Sequence, residues 1–150
     1  DHLFITFLWM TGVRIGEAVA VQKQHISLDR DEIKILWQKN KKYNWRTIAV
    51  HPSLMKMLML YCTPKKYDDL LFDFSRQNAD LIVKKWFGSG VSCHMFRHSF
   101  AVNYLRQSST PQDILVLQRL MGHKNIQTTM NYLQIVPNDM NEGLSKINFY

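Results

Sequence analysis

Four short stretches of this chain carry side chains that can act together on a phosphodiester. In chain order they are Thr11-Gly12-Val13-Arg14, His94-Met95-Phe96-Arg97, Gly122-His123 and Tyr132. Arginine guanidiniums neutralise phosphate oxygens, histidine rings hydrogen-bond them and move protons, and a tyrosine hydroxyl can attack phosphorus. Each stretch is common by itself, so their order and spacing together indicate phosphoryl-transfer chemistry.

The spacing within the second stretch predicts that its two polar residues are neighbours. His94 and Arg97 are three positions apart, which places them on one face of a helix. An apolar stripe of Phe96, Phe100 and Tyr104 runs along another face. We therefore expect the side chains of His94 and Arg97 to face a cleft or solvent.

The other stretches are less specific. Arg14 follows a glycine that suits the end of a helix, and Glu17 is the nearby carboxylate that could hold its guanidinium. The alternative is a surface ion pair of little consequence. Tyr132 comes nine positions after His123, but the chain has six tyrosines, and a lone tyrosine is more often a core or interface residue.

The hydrophobic pattern predicts one mainly helical α+β domain that would position these residues. Its 150 residues suffice for one hydrophobic core, and no apolar run approaches the ~20 residues that span a membrane. We predict a small antiparallel hairpin with lysines at its tip. The predicted strands cover about 25–28, 32–37 and 45–50, and the predicted helices about 3–10, 14–21, 53–61, 78–87, 94–105, 111–121 and 126–136.

Charge indicates a polyanionic partner. The formal net charge is +7, and the stretch 33–67 contains no aspartate or glutamate but eight lysines and arginines. Such a one-signed stretch suits nucleic acid, although a solvated lysine face with no partner has the same composition. Two distant cysteines, Cys62 and Cys93, are expected to be free thiols in a reducing compartment.

The motifs together resemble the tyrosine recombinases, the family of phage integrases and Xer-type resolvases. The resemblance rests on Gly12-Val13-Arg14-Ile15-Gly16-Glu17, on His94-Met95-Phe96-Arg97-His98-Ser99-Phe100-Ala101, on Leu120-Met121-Gly122-His123 and on Thr128-Thr129-Met130-Asn131-Tyr132. It spans Leu8 to about Ile135 and implies that family's catalytic fold with a small three-stranded antiparallel sheet. It also implies a DNA recombinase or integrase that cuts and rejoins strands through a 3′-phosphotyrosyl intermediate.

The resemblance assigns a role to each motif residue. Arg14 and Arg97 match the arginines that hold the scissile phosphate, and Tyr132 matches the nucleophile. His94 matches the histidine assigned to proton transfer, and His123 the one that hydrogen-bonds the phosphate. No nucleotide, metal or other cofactor is implied. A zinc cluster built from Cys93, His94, His98 and His123 is disfavoured, because Arg97 would place a positive charge beside the metal.

A lysine at the hairpin tip serves as general acid in this family, and Lys39 is the best match. The usual glycine-lysine-glycine tip is replaced by Gln38-Lys39-Asn40, so Lys41 and Lys42 stay open for the same role. We expect Lys41, Lys42 and Arg46 otherwise to contact the DNA backbone.

The resemblance implies further properties of the whole protein. Residues 1–150 would form a single catalytic domain without the family's N-terminal core-binding domain, and residues 138–150 could be a tail that packs on a neighbouring subunit or folds back on its own core. Expected partners are double-stranded DNA and further copies in a tetramer, with no membrane. The expected location is the cytoplasm, at the nucleoid, in a prokaryotic or viral system, with a mobile element favoured.

Three other functions stay open from the sequence. A type IB topoisomerase has related chemistry but tends to carry lysine where His94 stands. A DNA-binding protein of the same fold with inactive chemistry would serve a regulatory or architectural role, although no catalytic position is visibly replaced. A basic RNA-binding domain is less compatible, because no stacking motif is apparent.

Overall fold

The computed structural model describes residues 1–39, 42–107 and 110–134. In this part of the chain the α-helices are α1 (His2–Thr11), α2 (Ile15–Ala18), α3 (Pro52–Cys62), α4 (Arg76–Phe87), α5 (Cys93–Gln107), α6 (Pro111–Met121) and α7 (Ile126–Met130). The strands are β1 (Ile26–Ser27), β2 (Glu32–Lys39) and β3 (Lys42–Ala49). Single 3-10 turns cover Lys23–His25 and Asn131–Gln134. The predicted mainly helical α+β class, with a small three-stranded sheet, is confirmed.

The sheet is antiparallel in the order β1-β2-β3. Its hairpin is longer than predicted, because pairing continues to Lys39 opposite Lys42 where we expected a loop over 38–44. Local composition favours a loop there, but backbone pairing with a partner strand overrides such preferences. The register places Ile35 opposite Arg46, an arrangement that matters for the site described below.

Helix α5 lies between two hydrophobic clusters. The larger cluster joins α1, the sheet and α3, and includes the fully buried Phe7, Ile35 and Leu58. The smaller cluster joins α5, α6 and the segment after α7, with Leu117 and Tyr132 among its buried members. Because α5 contributes to both clusters, residues on different sides of it are buried, which explains why no single apolar stripe defines its inner face.

Several helix ends follow local signals in the sequence. Gly12 and Gly122 end α1 and α6 in the left-handed region, at φ values of 62° and 63°. Thr110 caps α6 in a reciprocal capping box with Asp113, and Asn125 caps α7 by accepting from the backbone N–H of Gln127. Helix α2 is shorter than predicted and ends at Ala18.

Two further expectations have different outcomes. Cys62 and Cys93 are buried free thiols, as predicted. The proposed tail over 138–150 lies outside the described residues. No helix in the described part of the chain is long and apolar enough to cross a membrane.

Candidate active site

Arg97 is the buried centre of the candidate site. It is 2% exposed, and one terminal nitrogen donates to the carbonyl oxygen of Gly12 at 2.7 Å while the other donates to that of Met121. Burial, together with repulsion from Arg14, lowers the pKa of this guanidinium to about 10, so it stays charged at neutral pH. Arg97 thus ties the end of α1 to the end of α6 and is more deeply buried than a cleft-facing residue was expected to be.

Arg14 sits directly before α2, on the chain segment that Arg97 fixes. Its backbone N–H and its Nη1 both donate to Glu17, at 2.8 and 3.1 Å, while 48% of its side chain stays exposed. Glu17 is buried, so this pair is not the inconsequential surface contact considered from the sequence. The contacts leave a half-exposed guanidinium held against a fixed carboxylate.

Arg46 differs from the sequence expectation. We predicted a contact to the DNA backbone; in the structure its side chain is 11% exposed and both terminal nitrogens donate to the Glu17 carboxylate at 2.9 Å. The register explains the difference, because Arg46 shares the inner face of the sheet with Ile35 and Ile48. Burial would raise the pKa of the Glu17 carboxyl, but hydrogen bonds and charge from Arg46, and then from Arg14, lower it.

His123 follows the left-handed Gly122 at the end of α6. Its Nδ1 lies 2.8 Å from the hydroxyl of Thr129, a residue with no exposed surface. Burial and the positive charges of Arg97, Arg14 and Arg46 lower its pKa to about 4, so the ring is neutral at neutral pH. If Thr129 donates to Nδ1, the Nε2 nitrogen carries the proton and is a hydrogen-bond donor.

Tyr132 lies beside His123. The two rings are stacked, with centroids 6.2 Å apart and planes 7° from parallel. The ring of His98 packs against the same tyrosine, with the two ring centroids 4.9 Å apart. Tyr132 is 8% exposed and belongs to the smaller core cluster. The structure therefore brings the tyrosine next to one histidine of the predicted set, His123.

Two clefts open beside these residues. The larger, about 670 Å³, is lined by Arg14, Glu17 and His123 together with side chains of the hairpin. The smaller, about 490 Å³, is lined by His94. Arg76, at the start of α4, lines both clefts, and no sequence pattern had pointed to it. His94 is exposed in the neighbouring cleft, so the structure does not place it in the same cavity as His123.

The lysine candidates lie only partly within the described residues. The backbone of Lys39 pairs with that of Lys42 at the end of the hairpin, and Lys42 is exposed. Lys41 lies outside the described residues. The cleft wall near the hairpin also holds Lys124, whose ammonium lies 5.2 Å from the ring centroid of Trp37. The choice of general acid among Lys39, Lys41 and Lys42 stays a prediction.

The described residues contain no group of three or more histidine, cysteine or acidic side chains placed to hold a metal. Sequence reasoning missed Thr129 and the carbonyl groups of Gly12 and Met121, which orient His123 and Arg97. None of these groups carries a chemical signal of its own in the sequence. All three residues stand within the quoted motifs, which is the one sequence feature that could have indicated them.

Comparison with known proteins finds one matching family model and several curated relatives. The family model described as "Phage integrase family" matches residues 1–138. Tyrosine recombinase XerA of Saccharolobus solfataricus is 31% identical over 144 residues, covering 93% of this chain and 47% of that protein. Tyrosine recombinase XerA of Pyrococcus horikoshii is 26% identical, covering 97% of this chain and 54% of that protein. The chain spans about half the length of these curated relatives.

Solved structures show the same fold. A crystal structure of XerA recombinase superposes with a TM-score of 0.76 at 22% identity, covering 99% of this chain and 58% of that one. The catalytic domain of bacteriophage HP1 integrase superposes with a TM-score of 0.67 at 26% identity, covering 96% of this chain and 80% of that one. The Tn1549 transposon integrase, solved with circular intermediate DNA, superposes with a TM-score of 0.70 at 20% identity, covering 95% of this chain and 56% of that one. The chain belongs to the phage integrase family, and the curated relatives named here are tyrosine recombinases.

Proposed function

We propose that this chain is the catalytic domain of a site-specific DNA recombinase or integrase that cuts and rejoins strands through a 3′-phosphotyrosyl intermediate. The observation that carries the proposal is the position of Arg97. Its hydrogen bonds to Gly12 and Met121 join the segment that carries Arg14 to the turn that carries His123, and Tyr132 packs beside that turn. A cationic, partly enclosed site with a tyrosine at its edge suits a phosphodiester.

Two arginines would stabilise the transition state. The two carbonyl contacts of Arg97 fix its guanidinium and use two of its five N–H groups; because the residue is 2% exposed, its remaining N–H groups reach a phosphate only when DNA binding uncovers them. Arg14 offers the exposed part of its guanidinium to the same phosphate. The neutral His123 donates a third hydrogen bond from Nε2. Preorganised donors of this kind contribute about 10²–10³ in rate each.

The reaction then balances without an external energy source. The Tyr132 oxygen attacks phosphorus and forms the 3′-phosphotyrosyl bond while the bond to the 5′ oxygen breaks. The phenol proton leaves to a base, for which the family resemblance assigns His94, and a hairpin lysine, with Lys39 as our first choice, donates a proton to the departing 5′ oxygen. A 5′ hydroxyl from another strand reverses these steps and rejoins the DNA.

The proposal extends to partners and location. The Tn1549 transposon integrase was solved in complex with DNA, and the net charge of +7 on this chain favours the same partner here. We propose that the parent protein acts as a tetramer on synapsed DNA, with residues 138–150 as the exchanged tail. Its place of action would be the nucleoid in the cytoplasm of a prokaryotic host or the DNA of a virus.

Covalent trapping tests the proposal. The full-length parent protein is recovered from its own cells in strong detergent, and attached DNA is sequenced for wild type, Tyr132→Phe and the control Tyr104→Phe. We expect attached DNA in wild type and the control and none in Tyr132→Phe. If no form retains DNA in detergent, while reversible crosslinking shows each one on DNA, the covalent mechanism is refuted and a DNA-binding role without strand transfer takes its place.

A further inference from the structure

Arg46 connects three segments that are far apart in the sequence. It lies on β3, and its guanidinium binds both oxygens of Glu17 at the start of the chain. A Cβ atom placed on Gly122 would lie 3.0 Å from its Cζ and its Nη1, so the guanidinium packs directly against the turn before His123. Among the described residues its Nε has no hydrogen-bond partner, which leaves the Glu17 carboxylate as its polar contact.

Glu17 transmits this anchoring to Arg14. The same two carboxylate oxygens accept from Arg46 and from the backbone N–H and Nη1 of Arg14. The carboxylate is buried, and Arg46 supplies the two-point contact that fixes its plane. The orientation of Arg14 therefore depends on a residue from the hairpin, 32 positions further along the chain (46 − 14).

The hairpin itself is the third segment involved. Arg46 pairs with Ile35 within the ladder that ends at Lys39 and Lys42. One side chain thus links the strand pair that carries the lysine candidates to the carboxylate that holds Arg14 and to the turn that carries His123. Direct contact with DNA is disfavoured, because both terminal nitrogens are engaged and 11% of the side chain is exposed.

We propose that Arg46 is a positioning residue that sets the mutual placement of Arg14, the hairpin and the His123 turn through its bidentate contact with Glu17. This inference rests on the proposed strand-transfer function of the site. Lysine in place of Arg46 would supply the charge without the planar fork, so it would restore the electrostatics but not the geometry. The charge of Arg46 also contributes, after burial and the two other arginines, to the low pKa of His123.

Single-turnover cleavage separates this role from a DNA contact. The substrate is a nicked duplex built on the site that trapping recovers, used with the full-length protein. Arg46→Met should slow formation of the covalent complex about 100-fold, because displacement of catalytic groups by about 1 Å costs that much, while duplex affinity changes by less than about threefold. Arg46→Lys should recover only part of the rate. The control Arg30→Met removes an exposed arginine of the same sheet region and should cleave at the wild-type rate.

A second variant guards against misfolding. Arg46→Met leaves the buried Glu17 carboxylate with Arg14 alone, whereas the double variant Glu17→Gln/Arg46→Met removes that buried carboxylate and leaves only the half-exposed Arg14 without its ion pair. The double variant should fold and still cleave about 100-fold more slowly than wild type. The proposal is overturned if either variant cleaves within about threefold of wild type, or if the rate falls only as far as duplex affinity falls.

An NMR titration of His123 needs no DNA and distinguishes failure of this inference from failure of the proposed function. The His123 pKa should rise in Arg46→Met and stay near the wild-type value in Arg46→Lys. Unchanged backbone amide shifts of Arg14 and Gly122 in Arg46→Met, together with an unchanged His123 pKa, overturn the proposed arrangement even if wild type cleaves DNA. If the His123 pKa changes as predicted but wild type forms no covalent complex, the strand-transfer function is refuted. The Arg46–Glu17 contact would then have no role in strand transfer.

Discussion

Replacement of Gly12 by alanine should destabilise the chain strongly. Gly12 has a φ of 62°, and a left-handed conformation costs a residue with a Cβ atom about 1–2 kcal/mol. The added carbon would lie 2.4 Å from Cδ1 and 2.7 Å from Cγ of Phe100, and such overpacking costs a further 1–3 kcal/mol or so. The two terms add to about 2–5 kcal/mol, or roughly 5–15 °C in Tm for a chain of this length.

Urea unfolding followed by circular dichroism measures this loss. The matched control is Gly16→Ala in α2, where an added Cβ meets no atom within 4 Å and alanine should stabilise the helix by about 0.5–1 kcal/mol. An m-value equal to that of wild type would show that the variant still unfolds as one unit. A Gly12→Ala variant within about 0.5 kcal/mol of wild type would refute the tight packing of α1 on α5.

Three further predictions concern the site and the thiols. Thr129→Val should slow covalent-complex formation without weakening duplex binding, because the His123 ring loses its orienting hydroxyl, while Thr129→Ser should retain the wild-type rate. The His123 pKa lies near 4 instead of 6.5, so its share of folding stability is complete above pH 6.5 and is lost as the pH falls toward 4. Urea titrations should therefore show that wild type loses more free energy of unfolding between about pH 7 and about pH 5 than His123→Gln does. Burial raises the pKa of Cys62 and raises that of Cys93 to about 11, so a thiol reagent should label both only after unfolding, and rapid native labelling would contradict this.

The sequence predicts the features that depend on near neighbours. Gly12 and Gly122 end their helices, and Thr110 with Asp113 forms a capping box, because each signal needs only residues a few positions apart. The extent of the hairpin is not local. Residues 42–44 resemble a loop by composition, yet they extend the pairing of β3 with β2 as far as Lys39.

In the candidate site, too, the sequence predicts the motif residues but not the contacts that depend on the tertiary structure. The resemblance supplied Arg14, Arg97, His123 and Tyr132, and the structure places them around the ends of α1 and α6. The contact between Arg46 and Glu17 joins residues 29 positions apart and depends on strand register, so charge alone suggested a DNA contact instead. Nothing in the sequence distinguishes Thr129 from its neighbour Thr128 as the partner of His123, because burial decides it.

Mass spectrometry of the trapped protein tests the central claim most directly. Wild-type protein recovered in detergent is digested with nucleases and then with trypsin, which releases the peptide 125–146. We predict that this peptide carries a nucleotide remnant linked through phosphate to Tyr132 and that the adduct is absent from Tyr132→Phe. An adduct on any other residue, or unmodified peptide from protein that retains DNA in detergent, would contradict the account of Tyr132 as the nucleophile.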